Sequence, residues 1–349
     1  MNSNRVGKQS VIFHTAPRIL TSAAIAGDME GEGPIGTYFD MILEDDTWGE
    51  DSWEKAERKM YIETVKIACD KAKCDYRKLD CLLGGDLLNQ IISANFAARD
   101  LGTPYLGLYG ACSTMSESLS CCAMLTDGGY LTQSACIAGS HFSTAERQFR
   151  FPLELGSQNT ATAQRTVTGT GCAIVVSGDN EQKSSEQNSR IYNTVHIVGG
   201  TIGKVVDMGI TDSNNMGAAM APAAVSTFTG LLADFNKTAD DFDLIVTGDL
   251  GRLGGTLFCD MCAELGVDVR NKYLDCGNIV FAESQKVDCG GSGCGCSAVT
   301  LCGYLLKRME EGDFKNAVFM ATGALLSPTS TFQGESIPGI AHAIILERR

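Results

Sequence analysis

The sequence predicts a duplicated α/β fold in which mostly parallel sheets are covered by helices, and three observations carry that prediction. Short apolar runs alternate with helix-spaced segments, the pattern of strands joined by crossover helices. The two halves of the chain repeat each other: Leu79–Leu87 reads LDCLLGGDL, and Phe242–Leu250, 163 positions on, reads FDLIVTGDL. The length of 349 residues, 44% of them apolar and with 39 glycines against 7 prolines, is enough for two packed, turn-rich units.

Taken in order, the elements begin with an outer helix over Asp51–Lys73. Trp53, Ala56, Met60, Val65 and Ala68 are among its apolar positions, and Asp51 and Glu54 stand in capping-box positions. Leu79–Leu87 follows as a buried strand closed by Gly85 and Asp86. Gly110–Leu119 is a turn opening into a helix, and Gly293–Gly303 repeats it at an offset near 184. The strands Ser134–Gly139 (SACIAG) and Ala317–Gly323 (AVFMATG) match at the same offset, measured at the closing glycine. Ser297–Met309 is helix-spaced and ends in basic residues. Gly171–Ser177 and Ile340–Glu347 supply a last strand to each half. The polar stretch Gly178–Arg190 separates the halves, which predicts an N-terminal unit over 1–180, a C-terminal unit over 191–349 and a connector at 181–190.

Charge and cysteine content narrow the function classes. Twenty-eight basic against 42 acidic side chains leave a net charge of −14, which repels phosphate backbones and argues against nucleic acid as a partner. The polar start Met1–Gln9 does not resemble a secretory signal, and no stretch reads as a span of the roughly 20 apolar residues a bilayer requires. The 15 cysteines are therefore expected to be reduced and intracellular, most of them acting as small buried hydrophobes. The run Cys289, Cys294, Cys296 and Cys302 lacks the paired spacing of a zinc site, and no resident metal or cofactor is expected.

Cys112 is the cysteine that carries chemistry. A thiol at the first turn of a helix feels its positive end, which favours thiolate, so Cys112 is expected to have a lowered pKa and to serve as a nucleophile or a ligand contact, unless it only packs a crowded turn. His141 follows a strand end, where ligands of open α/β sheets gather, and either binds an anion or is held structurally. Asp86 and Asp249 are symmetric across the repeat, and each either caps a turn or contacts a ligand or calcium. Asn89 and Ser292 lie in the same turns, and Arg147, Arg150 and Arg165 could offset ligand carboxylates.

Several longer motifs now occur together. They are Gly85-Asp86-Leu87-Leu88-Asn89-Gln90, Gly110-Ala111-Cys112-Ser113-Thr114, His141 with the following Ala145–Arg150, and Gly209–Asp212 with Met220–Ala224. Gly290-Gly291-Ser292-Gly293-Cys294 and Gly323–Pro328 complete the set. In this order, spanning about Gly7 to Glu347, they resemble the stage V sporulation protein AD family, within the thiolase superfamily and closest in layout to its ketoacyl-synthase III branch. The resemblance implies five layers, α-β-α-β-α, with two mostly parallel sheets and antiparallel edge strands. It implies a homodimer joined through the first-half sheets. It also implies that the chain binds dipicolinic acid, with calcium as a possible companion, for uptake into the developing spore. The implied setting is the surface of the spore inner membrane, and the implied partners are the membrane-embedded proteins of the same channel. Ketoacyl synthases of the third type also supply a histidine after the second-half strand and an asparagine in the glycine-rich turn. This chain has Asp249 and Ser292 there, which predicts that turnover at Cys112 is lost or weak. An active acyltransferase using Cys112 and a purely structural channel subunit are the alternatives.

Overall fold

A computed structural model of the chain describes residues 3–149, 160–178 and 195–349. The first half forms a five-stranded sheet from β1 (Arg18–Ala26), β2 (Cys81–Gly85), β3 (Tyr105–Gly107), β4 (Gln133–Ser140) and β5 (Gly169–Val176). Its order is β3-β2-β4-β5-β1, with β2 parallel to β3 and β4, while β5 runs antiparallel between β4 and β1. The second half repeats that order as β8-β7-β9-β10-β6, from β6 (Val195–Thr201), β7 (Leu244–Thr247), β8 (Tyr273–Asp275), β9 (Asn316–Ala324) and β10 (Gly339–Arg348). The antiparallel pairings of both halves lie on the inner sides, where β1 and β6 touch at Arg18 opposite His196.

Helices complete five layers. The first sheet is covered outside by α1 (Trp53–Ala72) and α2 (Ile92–Leu101). The middle layer holds α3 (Thr114–Asp127), and a short α4 (Phe142–Phe149) follows β4. The second sheet is covered by α5 (Met216–Phe235) and α6 (Gly251–Glu264). The other middle helix, α7 (Cys294–Val299), continues through the π-helical Thr300–Leu305 into Leu306–Glu311. Both middle helices touch strands of both sheets. A helix buried on two faces needs small side chains for close approach. The Ser, Cys, Ala and Gly content of α3 and α7 meets that need, and supplies four of the 15 cysteines. All 15 cysteines are free thiols, and all but Cys74 and Cys121 are buried.

The structure corrects several sequence expectations. Ser52, not Asp51, caps α1, accepting from Lys55 N at 3.4 Å, while Asp51 pairs with the Lys55 side chain at 2.6 Å. The middle helix of the second half starts at Cys294, three residues before the expected Ser297. α5 is long and apolar enough to cross a membrane by length and composition; the sequence reading overlooked it. Here α5 is a core helix, packed on β9, β10 and α6 through Ala219, Met220, Phe228 and Leu231. The connector at 181–190 lies outside the described residues.

Candidate functional site

The site forms where the loops at the carboxyl ends of both sheets face each other, the position at which open α/β sheets collect ligands. From the first half comes the turn between β3 and α3, with Ala111 in a left-handed conformation (φ 51°) that turns Cys112 inward. From the second half come Asp249, two residues past β7, and Ser292. Ser292 sits on a two-residue strand, Gly291–Ser292, paired in parallel with Arg165–Thr166. These walls line a narrow pocket with a cavity volume of about 40 Å³, small beside the roughly 300–1,000 Å³ of drug-sized ligand sites. Cys112, Ser292, Thr166, Glu146 and Tyr109 supply its polar atoms, and Leu87, Phe149, Met216, Ala324 and Leu326 much of its apolar lining.

Asp249 is wholly buried beside Cys112 and receives three donors. Thr322 Oγ1 donates to Oδ1 at 2.7 Å, Ser292 Oγ and Gly293 N donate to Oδ2 at 3.1 and 2.9 Å, and the Cys112 thiol lies near enough to feel the same carboxylate. Burial nevertheless pushes its pKa up to about 6. A second carboxylate, Asp275 at the end of β8, accepts from Leu250 N and Gly251 N at 2.9 Å and from Thr247 Oγ1 at 2.7 Å, which fixes the loop carrying Asp249. Burial raises Asp275 to about 7.

The Cys112 expectation is reversed. Burial, then the neighbouring Asp249 carboxylate, pushes its thiol well above the ordinary value, and these outweigh the helix start it precedes. Cys112 is therefore a protonated thiol beside an acid, with no histidine at the pocket to take its proton. None of the four histidines lines the pocket.

Of the residues expected from sequence, Cys112, Ser292 and Asp249 are brought together. The others are not. The Asp86 oxygens accept from Leu88 N and Ala94 N, each at 2.7 Å, so its carboxylate caps the turn into α2. His141 is buried away from the pocket: Nε2 donates to Asp46 O at 2.7 Å, and Nδ1 accepts from Ser143 N at 3.2 Å. Both ring nitrogens are used, and burial lowers the pKa, so the ring stays neutral. Asn89 lies outside the pocket, in an adjoining depression that shares Tyr109 and Leu326 with it. Arg147 pairs with Glu54 on the surface, and Arg150 lies outside the described residues. Arg165 stacks on Phe142 at 3.8 Å, close enough to Glu30 and Glu146 to feel both carboxylates.

Glu146 and Thr166 were missed. Both line the pocket and are joined by a 3.0 Å bond from Thr166 Oγ1 to Glu146 Oε1. With Asp249 behind the wall, the pocket carries acidic groups, and among the described residues no lysine or arginine lines it. No three metal-binding side chains converge among the described residues.

Comparison with known proteins agrees with this architecture. The sequence profile of the family Stage V sporulation protein AD matches residues 7–347. The Stage V sporulation protein AD of Bacillus subtilis is 41% identical over 342 residues, covering 98% of this chain and 97% of that protein. Human mitochondrial 3-ketoacyl-CoA thiolase, solved with CoA, aligns over 97% of this chain and 99% of its own, with TM-score 0.62 and 15% identity. The 3-oxoacyl-[acyl-carrier-protein] synthase III of Aquifex aeolicus aligns over 95% and 99%, with TM-score 0.56 and 12% identity. At such identities these two structures speak for the fold alone.

Proposed function

This chain belongs to the stage V sporulation protein AD family, and from that premise we propose that it is a non-catalytic binder of dipicolinic acid on a thiolase fold, serving uptake of that acid into the developing spore. The observation that carries the reading is the partner of Cys112. Acyl transfer needs a thiolate, and a thiolate needs a base or a positive neighbour. Cys112 instead faces Asp249, a buried carboxylate that disfavours the thiolate. What remains is a small, largely apolar pocket with a few hydroxyl oxygens in its wall, a lining that supports a small aromatic ligand.

The charge of the pocket refines the ligand. A free dianion would meet the buried Asp249 carboxylate with no lysine or arginine among the described lining residues, whereas a calcium complex brings its own compensation. Titration calorimetry with dipicolinate, with and without calcium, tests this: saturable binding is expected, stronger with calcium, and lost when Leu326→Trp fills the mouth. No heat with either form, together with a stable acyl adduct on Cys112 after exposure to acyl-coenzyme A, would favour the acyltransferase. Silence in both assays would leave the structural subunit.

The same reading includes a homodimer and docking on the membrane-embedded channel proteins. Among the described residues no strand pairs with the outer edge of β3, where Leu106 is 48% exposed, and Ile92, Phe96 and Tyr109 of the same half are exposed as well. An apolar open edge of this kind pairs with a second copy or aggregates. Sedimentation should show twice the chain mass, reduced to the monomer by Leu106→Arg.

A further inference from the structure

Two thiols outside the pocket meet at the C-terminal end of α1. The helix closes in a Schellman turn: Cys74 N donates to Cys69 O at 2.9 Å, Lys73 N donates to Asp70 O at 3.1 Å, and Lys73 is left-handed with φ 53°. That turn sets the side chain just past the helix beside one in its last turn, where an apolar pair ordinarily packs. Here both are cysteine. The two thiols lie near enough to perturb each other; Cys69 is buried in the outer core of the first half, and Cys74 is half-exposed at its rim. Disulfide formation needs α-carbons within about 7 Å and side chains directed at each other. The backbone clamp holds the two side chains side by side, the arrangement that the bridge requires.

We infer that Cys69 and Cys74 form a reversible dithiol site that reacts with low-molecular-weight disulfides. The Cys74 thiolate attacks one sulfur of the disulfide RSSR, forming a Cys74–SR bond and releasing RS⁻, which takes up the proton Cys74 gave up. The Cys69 sulfur then attacks the Cys74 sulfur, the Cys74–SR bond breaks, and the second RS⁻ takes the Cys69 proton. The protein dithiol is oxidised and RSSR is reduced to two RSH. Exposure sets the order: Cys74 is half-exposed at the rim and Cys69 is buried, so the accessible sulfur is the one that attacks first, and the direction of the Cys74 shift, downwards beside Cys69, favours the same order. Cys121, the other partly exposed cysteine, lacks this arrangement: burial raises its pKa to about 11.

The test uses the full chain in oxidised glutathione near neutral pH, followed by tryptic mapping. Cleavage at Lys71 and Lys73 separates the two cysteines, so their disulfide appears as a linked peptide pair lighter by about 2 Da than the sum of its parts. That pair is expected as the first product and should disappear on adding a dithiol reductant. Cys69→Ser should leave glutathione held on Cys74. Should that variant fail to fold, Cys74→Ser, which changes the partly exposed partner, should abolish the linked pair and leave Cys69 unmodified. A persistent glutathione adduct on wild-type Cys74, a link from Cys74 to Cys172, or modification of Cys121 ahead of Cys74 would each overturn the assignment.

Discussion

Asp86 and Asp249 stand in identical Gly-Asp-Leu contexts, yet the fold gives them opposite work. Asp86 turns back to cap its own chain, whereas Asp249 faces across the interface between the halves towards Cys112. The repeat pointed to both positions, but which one faces the pocket depends on how the halves pack, and no local pattern encodes that. Glu146 was illegible for a related reason: on a short helix, a lone glutamate reads as a solvated charge. The Cys112–Asp249 contact has a measurable consequence. The carboxylate charge disfavours the thiolate, so Cys112 should alkylate slowly near neutral pH, and Asp249→Asn should speed it, about tenfold for each unit by which the thiol pKa falls. Peptide-resolved iodoacetamide kinetics read this directly, and an unchanged or slower rate in a folded Asp249→Asn chain would contradict the contact. At His141 the expectation runs the other way. Removing a buried ring that satisfies Asp46 O and Ser143 N should cost about 1–3 kcal/mol of stability. Dipicolinate affinity should be unchanged in His141→Ala, and a selective loss of binding would restore the histidine to the site.

The elements that sequence found best were those with enough residues to show a period. α1 and the long strands β4, β9 and β10 fall close to where the apolar pattern put them. The edge strands β3 and β8, at three residues each, are too short to display alternation; the order of elements in each half called for a strand there but gave it no bounds, while β1 and β6, at the inner sides, were not seen. Shorter still is the pairing of Arg165–Thr166 with Gly291–Ser292, which sets two pocket hydroxyls side by side. It depends on Gln164, whose Nε2 donates to Asp249 O at 2.6 Å and Gly291 O at 2.9 Å. One buried amide thus ties the pocket strand of the first half to both pocket segments of the second. Gln164→Ala should leave two buried carbonyls without this donor, costing about 1–3 kcal/mol. Because those carbonyls belong to the segments carrying Asp249 and Ser292, ligand affinity should also fall, and more than in His141→Ala at equal loss of stability. Denaturant unfolding paired with calorimetry separates the two effects, and a Gln164→Ala chain with reduced stability but unaltered affinity would assign Gln164 to the fold alone.

Across the whole molecule, the close packing of two sheets on shared helices has buried several carboxyls. Burial lifts Glu30 and Asp275 to about 7, Asp86 and Asp249 to about 6, and Glu57 well above its ordinary value, with the Asp86 charge adding to the last. A carboxyl whose pKa is raised by folding binds its proton more tightly in the native state. Its contribution to stability is present below the unfolded value near 4 and is lost as pH rises through the folded one. Two other groups act in opposition at the acid end. His342 is lowered by burial to about 4, and His141 is lowered as well; both favour the native state increasingly as pH rises to about 6.5, where the unfolded imidazole has lost its proton. Aspartates lowered by surface hydrogen bonds, such as Asp243, complete their effect below that range. Above about pH 6.5, therefore, Glu30, Asp275 and Glu57 dominate, and each tenfold mismatch in proton affinity between the two states is worth about 1.4 kcal/mol. Unfolding free energy measured in urea at constant ionic strength should fall from about pH 6.5 to about pH 8, and Glu30→Gln, which needs no proton to stay neutral, should flatten the decline. A stability that rises over that interval, or a Glu30→Gln chain with the full wild-type slope, would place the buried protons elsewhere.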